Sequence, residues 1–247
     1  MKITVFTIFP EIVEGFCSKS LLGKALEGGL WNLNIVNPRD YSEDKHGRVD
    51  DTPYGGGHGM VMRPDILGNS IEANCSLGKT KIIYMSPRGN VLNQEKIRNL
   101  LKYEDLSIIC GRYEGIDERV IEEYNIEEIS IGDFVIMGGE LPALMLIEGL
   151  IRCVDNVVGD KESITEDSFG GATNNIFNDL LEYPLYTRPP IWKNRQVPDV
   201  LLSGHHENIR KWKIEMAKKV TENRKTPSTV PEVIASLLLI LLNSHGH

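Results

Sequence analysis

Three short stretches carry residue types that could do chemistry. Ser130-Ile-Gly-Asp-Phe-Val-Ile-Met-Gly-Gly-Glu-Leu-Pro142 places glycines, an apolar run and a proline between a predicted strand and a predicted helix. Such a loop lets backbone N–H and C=O groups approach a small ligand closely. Cys110-Gly-Arg-Tyr-Glu-Gly-Ile-Asp117 follows another predicted strand, and Thr165-Glu-Asp-Ser-Phe169 is a polar, acid-bearing turn. Other chemistries are poorly supported. Gly55-Gly-Gly-His-Gly59 is not a phosphate loop, because the chain has no GxxxxGK[ST] and no GxGxxG after a strand. No serine sits in a GxSxG elbow. Nor do the six histidines form a metal set. His205 and His206 are adjacent and cannot both face one site on a helix, His245 and His247 stand in the last three positions, and His58 reads as a loop residue. Cys17, Cys75, Cys110 and Cys153 form no CxxC pair, so reduced thiols are expected rather than a zinc site or a disulfide framework.

The elements that must position these loops are legible from periodicity. Ile3 to Phe9 reads as a buried strand, Lys19 to Glu27 as a helix closed by Gly28-Gly29, and Trp31 to Asn37 as a strand stopped by Pro38. Residues 39–63 are polar and glycine-rich with no clear period, a length that in a compact domain is usually functional. Pro64 opens a helix to about Cys75. Then come a strand from Lys81 to Met85, a Ser86-Pro-Arg-Gly89 turn and a helix from Asn93 to Lys102. A strand from Leu106 to Cys110 precedes the Gly111–Gly115 loop and a helix to Tyr124. A short strand from Glu128 to Ile131 precedes the long glycine loop and a helix from Pro142 to Val154. Strand, loop and helix repeated in this way predict an α/β fold, a parallel sheet with crossover helices. Ligands of such sheets sit beyond the carboxyl ends of the strands, where these loops fall.

Bulk properties set the remaining bounds. The 247 residues are 41% hydrophobic and 25% charged, with a net charge of -8. Residues 1–169 hold 17 basic against 28 acidic side chains, whereas 170–247 hold 10 against 7 and 208–225 hold 7 against 2. A basic helix on an acidic body suits a polyanion partner or a solvated face. The apolar run Val233 to Leu242 is half a membrane crossing and reads as a core helix, so a soluble, cytoplasmic protein without a membrane partner is expected. The division expected is a main domain at 1–159, a flexible linker at 160–178 and a helical C-terminal domain at 179–247.

Taken together, the loops resemble the bacterial tRNA (guanine-N1-)-methyltransferases of the knotted, SPOUT-type superfamily. The resemblance rests on Pro38-Arg-Asp40, Val49-Asp-Asp-Thr-Pro-Tyr-Gly-Gly-Gly57, Gly111 to Arg119, Ser130 to Asp133, Gly138 to Pro142, Thr165 to Phe169, Tyr186-Thr-Arg-Pro189 and Leu202-Ser-Gly204, in order along almost the whole chain. It implies a trefoil knot in the N-terminal domain and a homodimer whose active sites use both chains. It implies S-adenosyl-L-methionine held by Pro87, Gly111, Tyr113, Ile131, Gly132, Asp133, Phe134, Val135, Ile136, Gly138, Gly139 and Pro142. The small C-terminal domain would hold the anticodon arm of tRNA. No residue pattern speaks for or against magnesium.

By the same resemblance Asp167 is the general base and Arg152 stands near O6 of the target guanine, with Glu114, Asp51, Ser168 and His206 as substrate contacts. Methylating N1 of guanine requires its proton to be removed and charge on O6 to be stabilised. A free aspartate has a pKa of about 3.9, so a nearby cation matters as much as the base. Each residue also has an ordinary reading: Asp167 as a turn cap, Arg152 as a partner of Glu148 one helical turn away, Glu114 as a first-turn acid. The chain departs from the family's usual pattern at His58, Phe134 and Arg88, and in an insertion near 170–178. Methylation of a ribose 2′-hydroxyl and a non-catalytic RNA-binding role are the competing readings. The Asp167 and Arg152 pair favours a base nitrogen.

Overall fold

The computed structural model of the protein describes residues 1–159, 167–169, 177 and 179–225. The expected final helix and most of the expected linker lie outside these residues. The chain separates into two compact units, Met1–Gly159 and Asp160–His247.

The first unit is built on five parallel strands: β1 (Lys2–Phe6), β2 (Asn32–Val36), β5 (Lys81–Val91), β6 (Asp105–Ile109) and β7 (Glu127–Ser130), in the order β2-β1-β6-β5-β7. Alternation along the strands sends side chains to two cores. Ile3, Val5, Ile83, Leu106 and Ile108 pack on one side, and Phe6, Ile82, Tyr84 and Ile109 on the other. Helices α1 (Pro10–Cys17), α2 (Ser20–Glu27), α4 (Gln94–Leu100) and α6 (Glu140–Arg152) supply the first core. Helices α3 (Pro64–Asn74) and α5 (Glu118–Glu123) supply the second. The helix starts follow local chemistry. Asn93 caps α4 by accepting from the Lys96 amide at 2.8 Å, and Asp117 caps α5 by accepting from the Arg119 amide at 3.0 Å.

Three details differ from the sequence reading. Helix α1 was not among the expected elements. Proline at the first helical position lacks only an N–H that would have no partner there, and Glu11 and Glu14 fall on the exposed side. The Ser86–Gly89 turn does not end its strand. Pairing with β7 breaks at Met85↔Ile129 and resumes at Asn90↔Ile129, so the four residues form an excursion from one continuous strand. The aperiodic 39–63 segment contains a 3₁₀ turn (Pro38–Tyr41) and a small antiparallel pair, β3 (Asp50–Asp51) with β4 (Val61–Met62). Cys17, Cys75, Cys110 and Cys153 are free, Cys17 and Cys110 buried.

Glu127 at the start of β7 joins three elements. Its carboxylate meets the Lys81 ammonium of β5 at 2.8 Å and also contacts Lys96 of α4. Burial raises the carboxyl's pKa, but hydrogen bonds from the two lysines outweigh it and hold the group below the ordinary glutamate range. A depressed carboxylate contributes stability above its unfolded pKa and loses it as pH falls through the folded value. Glu127→Gln should therefore lower Tm at pH 7, with the gap closing on acidification below about pH 4. Calorimetry across pH checks this, and a gap that persists at pH 3 refutes it.

In the second unit, Phe177, Tyr183 and Ala217 form a small core with Leu180, Trp212, Ile214 and Met216 against the long helix His206–Lys225. Thr221 fastens it, its hydroxyl donating to the Ala217 carbonyl at 2.7 Å and accepting from the Leu181 amide at 2.8 Å. A hairpin, β8 (Ile191–Trp192) with β9 (Arg195–Gln196), turns through Lys193 and Asn194, both at positive φ. Among the described residues no helix is long and apolar enough to cross a membrane.

Candidate functional site

A cavity of about 190 Å³ opens where β6, β7 and the excursion of β5 end. Each wall is a loop fixed by its own backbone. The Gly111–Gly115 loop accepts from the Gly139 amide through Gly111 O at 2.9 Å. Its other edge is hooked to the 60–62 segment, by Glu114 N to Met60 O and Met62 N to Gly115 O, both 2.9 Å. In the third loop the Ser130 hydroxyl accepts from the Gly132 amide at 3.1 Å, closing its first turn. The excursion is pinned by Arg88, whose guanidinium lies 2.9 Å from Glu118 and 3.0 Å from Glu128. Tyr113 sits at φ 60, a conformation costing an L-residue roughly 1–3 kcal/mol and typical of loops shaped for a ligand.

Of the residues expected to hold a cofactor, Pro87, Gly111, Tyr113, Ile131, Gly132, Phe134, Val135, Ile136, Gly138, Gly139 and Pro142 all line this cavity. Asp133 does not line it. Glu114 does, and it precedes the Asp117 cap of α5, so it is a loop residue rather than a first-turn acid. Asp51 lines a second, wider hollow of about 740 Å³ with Tyr54, Arg63 and Arg119. Arg152 is the last residue of α6 and exposed, at the helix end where a cation is favoured. Among the described residues no group of three or more His, Cys, Asp or Glu could hold a metal ion.

The family model described as tRNA (Guanine-1)-methyltransferase TrmD matches residues 1–229 of this chain. The chain belongs to the tRNA (guanine-1)-methyltransferase family. It is similar to curated proteins named tRNA (guanine-N(1)-)-methyltransferase along nearly their full length. A Wolbachia pipientis wMel protein is 46% identical over 91% of this chain and 93% of its own. One from Rickettsia akari (strain Hartford) is 46% identical over 95% and 97%, and one from Ehrlichia canis (strain Jake) 44% over 93% and 95%.

The remaining residues that the tRNA (guanine-1)-methyltransferase resemblance singled out belong to the second unit. Asp167 lies in a half-buried turn whose next two residues are tied down. The Ser168 hydroxyl accepts from the Glu182 amide at 2.9 Å, and the Phe169 amide donates to the Leu180 carbonyl at 3.0 Å. Ser168 thus has an architectural bond in addition to any contact with substrate. The Arg224 guanidinium lies 5.7 Å from the Phe169 ring centre. His206 opens the long helix, exposed, and Arg210, Lys211, Lys218 and Lys219 are exposed along it.

Sequence reasoning missed Tyr84, Met85, Ser86, Arg112, Gly115, Ile129, Ser130 and Met137 as cavity residues. Arg112 and Gly115 lay inside the quoted Gly111 motif and could have been found there. Tyr84 and Ser86 carried no signal beyond their position near a strand end.

Proposed function

We propose that the protein methylates N1 of the guanine immediately 3′ of a tRNA anticodon, position 37, using S-adenosyl-L-methionine and giving 1-methylguanosine in support of reading-frame maintenance. The observation that carries the reading is a cavity walled by three backbone loops beyond parallel strands, in a chain of this family. The cavity's chemistry suits the methyl donor. Ile131, Val135, Ile136 and Pro87 offer apolar surface, with Phe134 55% and Val135 86% exposed, beside the backbone groups of the glycine loops. When bound, S-adenosylmethionine supplies an already electrophilic methyl group.

The protein's own groups do the rest. Asp167 takes the proton from guanine N1. Arg152 stabilises the negative charge that moves onto O6, and Glu114 holds the target base at the cavity's rim. Asp51, Ser168 and His206 contact the RNA, and Asp133 assists at the cofactor. The guanine leaves its stack to reach the site, the usual solution for enzymes acting on a base. Residues 1–159 act as the knotted methyltransferase domain, 160–178 as the linker between domains, and 179–247 as the tRNA-holding domain. The basic long helix supports this last assignment through phosphate contacts. The working unit is a cytoplasmic homodimer with composite active sites.

The test uses purified protein, labelled S-adenosylmethionine and an unmodified tRNA with guanine 3′ of its anticodon, followed by nucleoside mass spectrometry. The expected product is 1-methylguanosine, lost when that guanine is changed to adenine. A methylated ribose would move the assignment to another RNA position. No transfer despite bound cofactor would favour a binding role.

A further inference from the structure

Glu140 is the only charged side chain among the buried residues described, 1% exposed at the first position of α6. Its Oε1 accepts from the Thr7 hydroxyl, just past the end of β1, at 2.8 Å. Its Oε2 lies 2.8 Å from a terminal nitrogen of Arg112, an ion pair without hydrogen-bond geometry, and has no hydrogen-bond partner. Arg112 belongs to the opposite cavity wall, and its guanidinium rests over the Phe9 ring at 4.4 Å. The Arg112 Nε is buried without a hydrogen-bond partner. It passes so close to Gly138 that a β-carbon there would stand 2.3 Å away. Two cavity walls, 111–115 and 131–139, therefore meet through the guanidinium of Arg112, itself part of the lining, and one buried carboxylate.

Stability alone is a weak reason for this arrangement. Desolvating a buried ion pair offsets most of its attraction, and apolar replacements of such pairs are often neutral or stabilising. What the pair supplies that apolar packing would not is a fixed charge at one point of the fold. Arg112 is held by a carboxylate that Thr7 itself fixes, and its Nε fits where it lies because residue 138 has no side chain.

We propose that Glu140 is a positioning residue: through Arg112 it holds the two loops at the spacing that receives the ligand, before the ligand arrives. The inference rests on reading this cavity as the S-adenosylmethionine site. Glu140 touches neither reacting group, so its removal acts on cofactor affinity more than on the chemical step.

The experiment is calorimetric titration of S-adenosylmethionine into full-length wild type, Glu140→Gln, Thr7→Val and Trp31→Phe, well below each Tm, with kcat and KM for each. Trp31 is fully buried in the first core and does not line the cavity, its indole N–H donating to the Leu22 carbonyl at 3.2 Å, and it reports general loss of stability. Glu140→Gln should weaken binding roughly tenfold or more, as loss of a supporting partner commonly does. Its cofactor KM should rise by a similar factor while kcat stays within about twofold. Thr7→Val should shift affinity in the same direction by a smaller factor, and Trp31→Phe should lower Tm with affinity unchanged. Wild-type affinity in Glu140→Gln overturns the proposal, as does equal weakening by Trp31→Phe. Should Glu140→Gln fail to fold, unchanged affinity in Thr7→Val overturns it. A folded wild type that binds no S-adenosylmethionine removes the functional reading and this inference with it.

Discussion

Replacing Asp167 by asparagine is expected to lower methyl transfer by about 10²–10⁴-fold, the usual contribution of a positioned general base, while S-adenosylmethionine binds as before. Asparagine keeps the shape and one acceptor of aspartate but cannot take the N1 proton. The turn that presents residue 167 is held by Ser168 on Glu182 N and by Phe169 N on Leu180 O. Neither bond uses the carboxylate. Cofactor affinity should survive because the loops that line the cavity lie in the first unit, whereas Asp167 belongs to the second. Single-turnover methylation beside calorimetry separates the two quantities. Turnover within a few-fold of wild type would remove Asp167 as the base. Lost turnover together with lost cofactor binding would make it a structural residue instead.

Gly139→Ala is expected to abolish measurable cofactor binding. A β-carbon on Gly139 would stand 2.7 Å from the Cys110 Cα and 2.9 Å from the Gly111 nitrogen. Both are backbone atoms at the end of β6, so no side chain can swing aside. Overpacking of this kind costs about 1–3 kcal/mol even where a core can adjust. Here the adjustment must separate the two loops and stretch the bond from the Gly139 amide to the Gly111 carbonyl. That bond sets the width of the cavity, so affinity falls more than stability. Gly15→Ala in α1 is the matched control, since nothing lies within 4 Å of the added carbon. It should leave binding unchanged and raise stability slightly, as alanine for glycine in a helix does. Wild-type affinity in Gly139→Ala would show that the loops can separate without harm to the site.

Much of the molecule was legible beforehand, for local reasons. All five parallel strands fall within a few residues of the apolar runs that announced them, α3 begins where Pro64 places it, and α5 closes at Tyr124, its expected end. Other elements escaped. Helix α1 was not read, although Pro10 suits a first helical position, where its missing N–H leaves no bond unmade. Ser86-Pro-Arg-Gly89 has turn composition, yet its strand continues because Asn90 and Val91 pair again with β7. The hairpin of Ile191 to Gln196 lay hidden in a proline-rich stretch, its Lys193-Asn194 turn being a weak signal without glycine.

The sequence by itself determined the kinds of element, their order, the loops that follow the strands and the family those loops belong to. Periodicity, capping and glycine content act over a few residues and can be read where they stand. Only the tertiary structure decided that β6 lies between β1 and β5, so that loops beginning near residues 86, 111 and 131 meet around one cavity. It alone decided that Glu140, an acid in the first turn of a helix and so an ordinary surface residue by pattern, is buried against Thr7, 133 positions away. Strand order and the burial of a charge depend on partners remote along the chain, and no local window contains them.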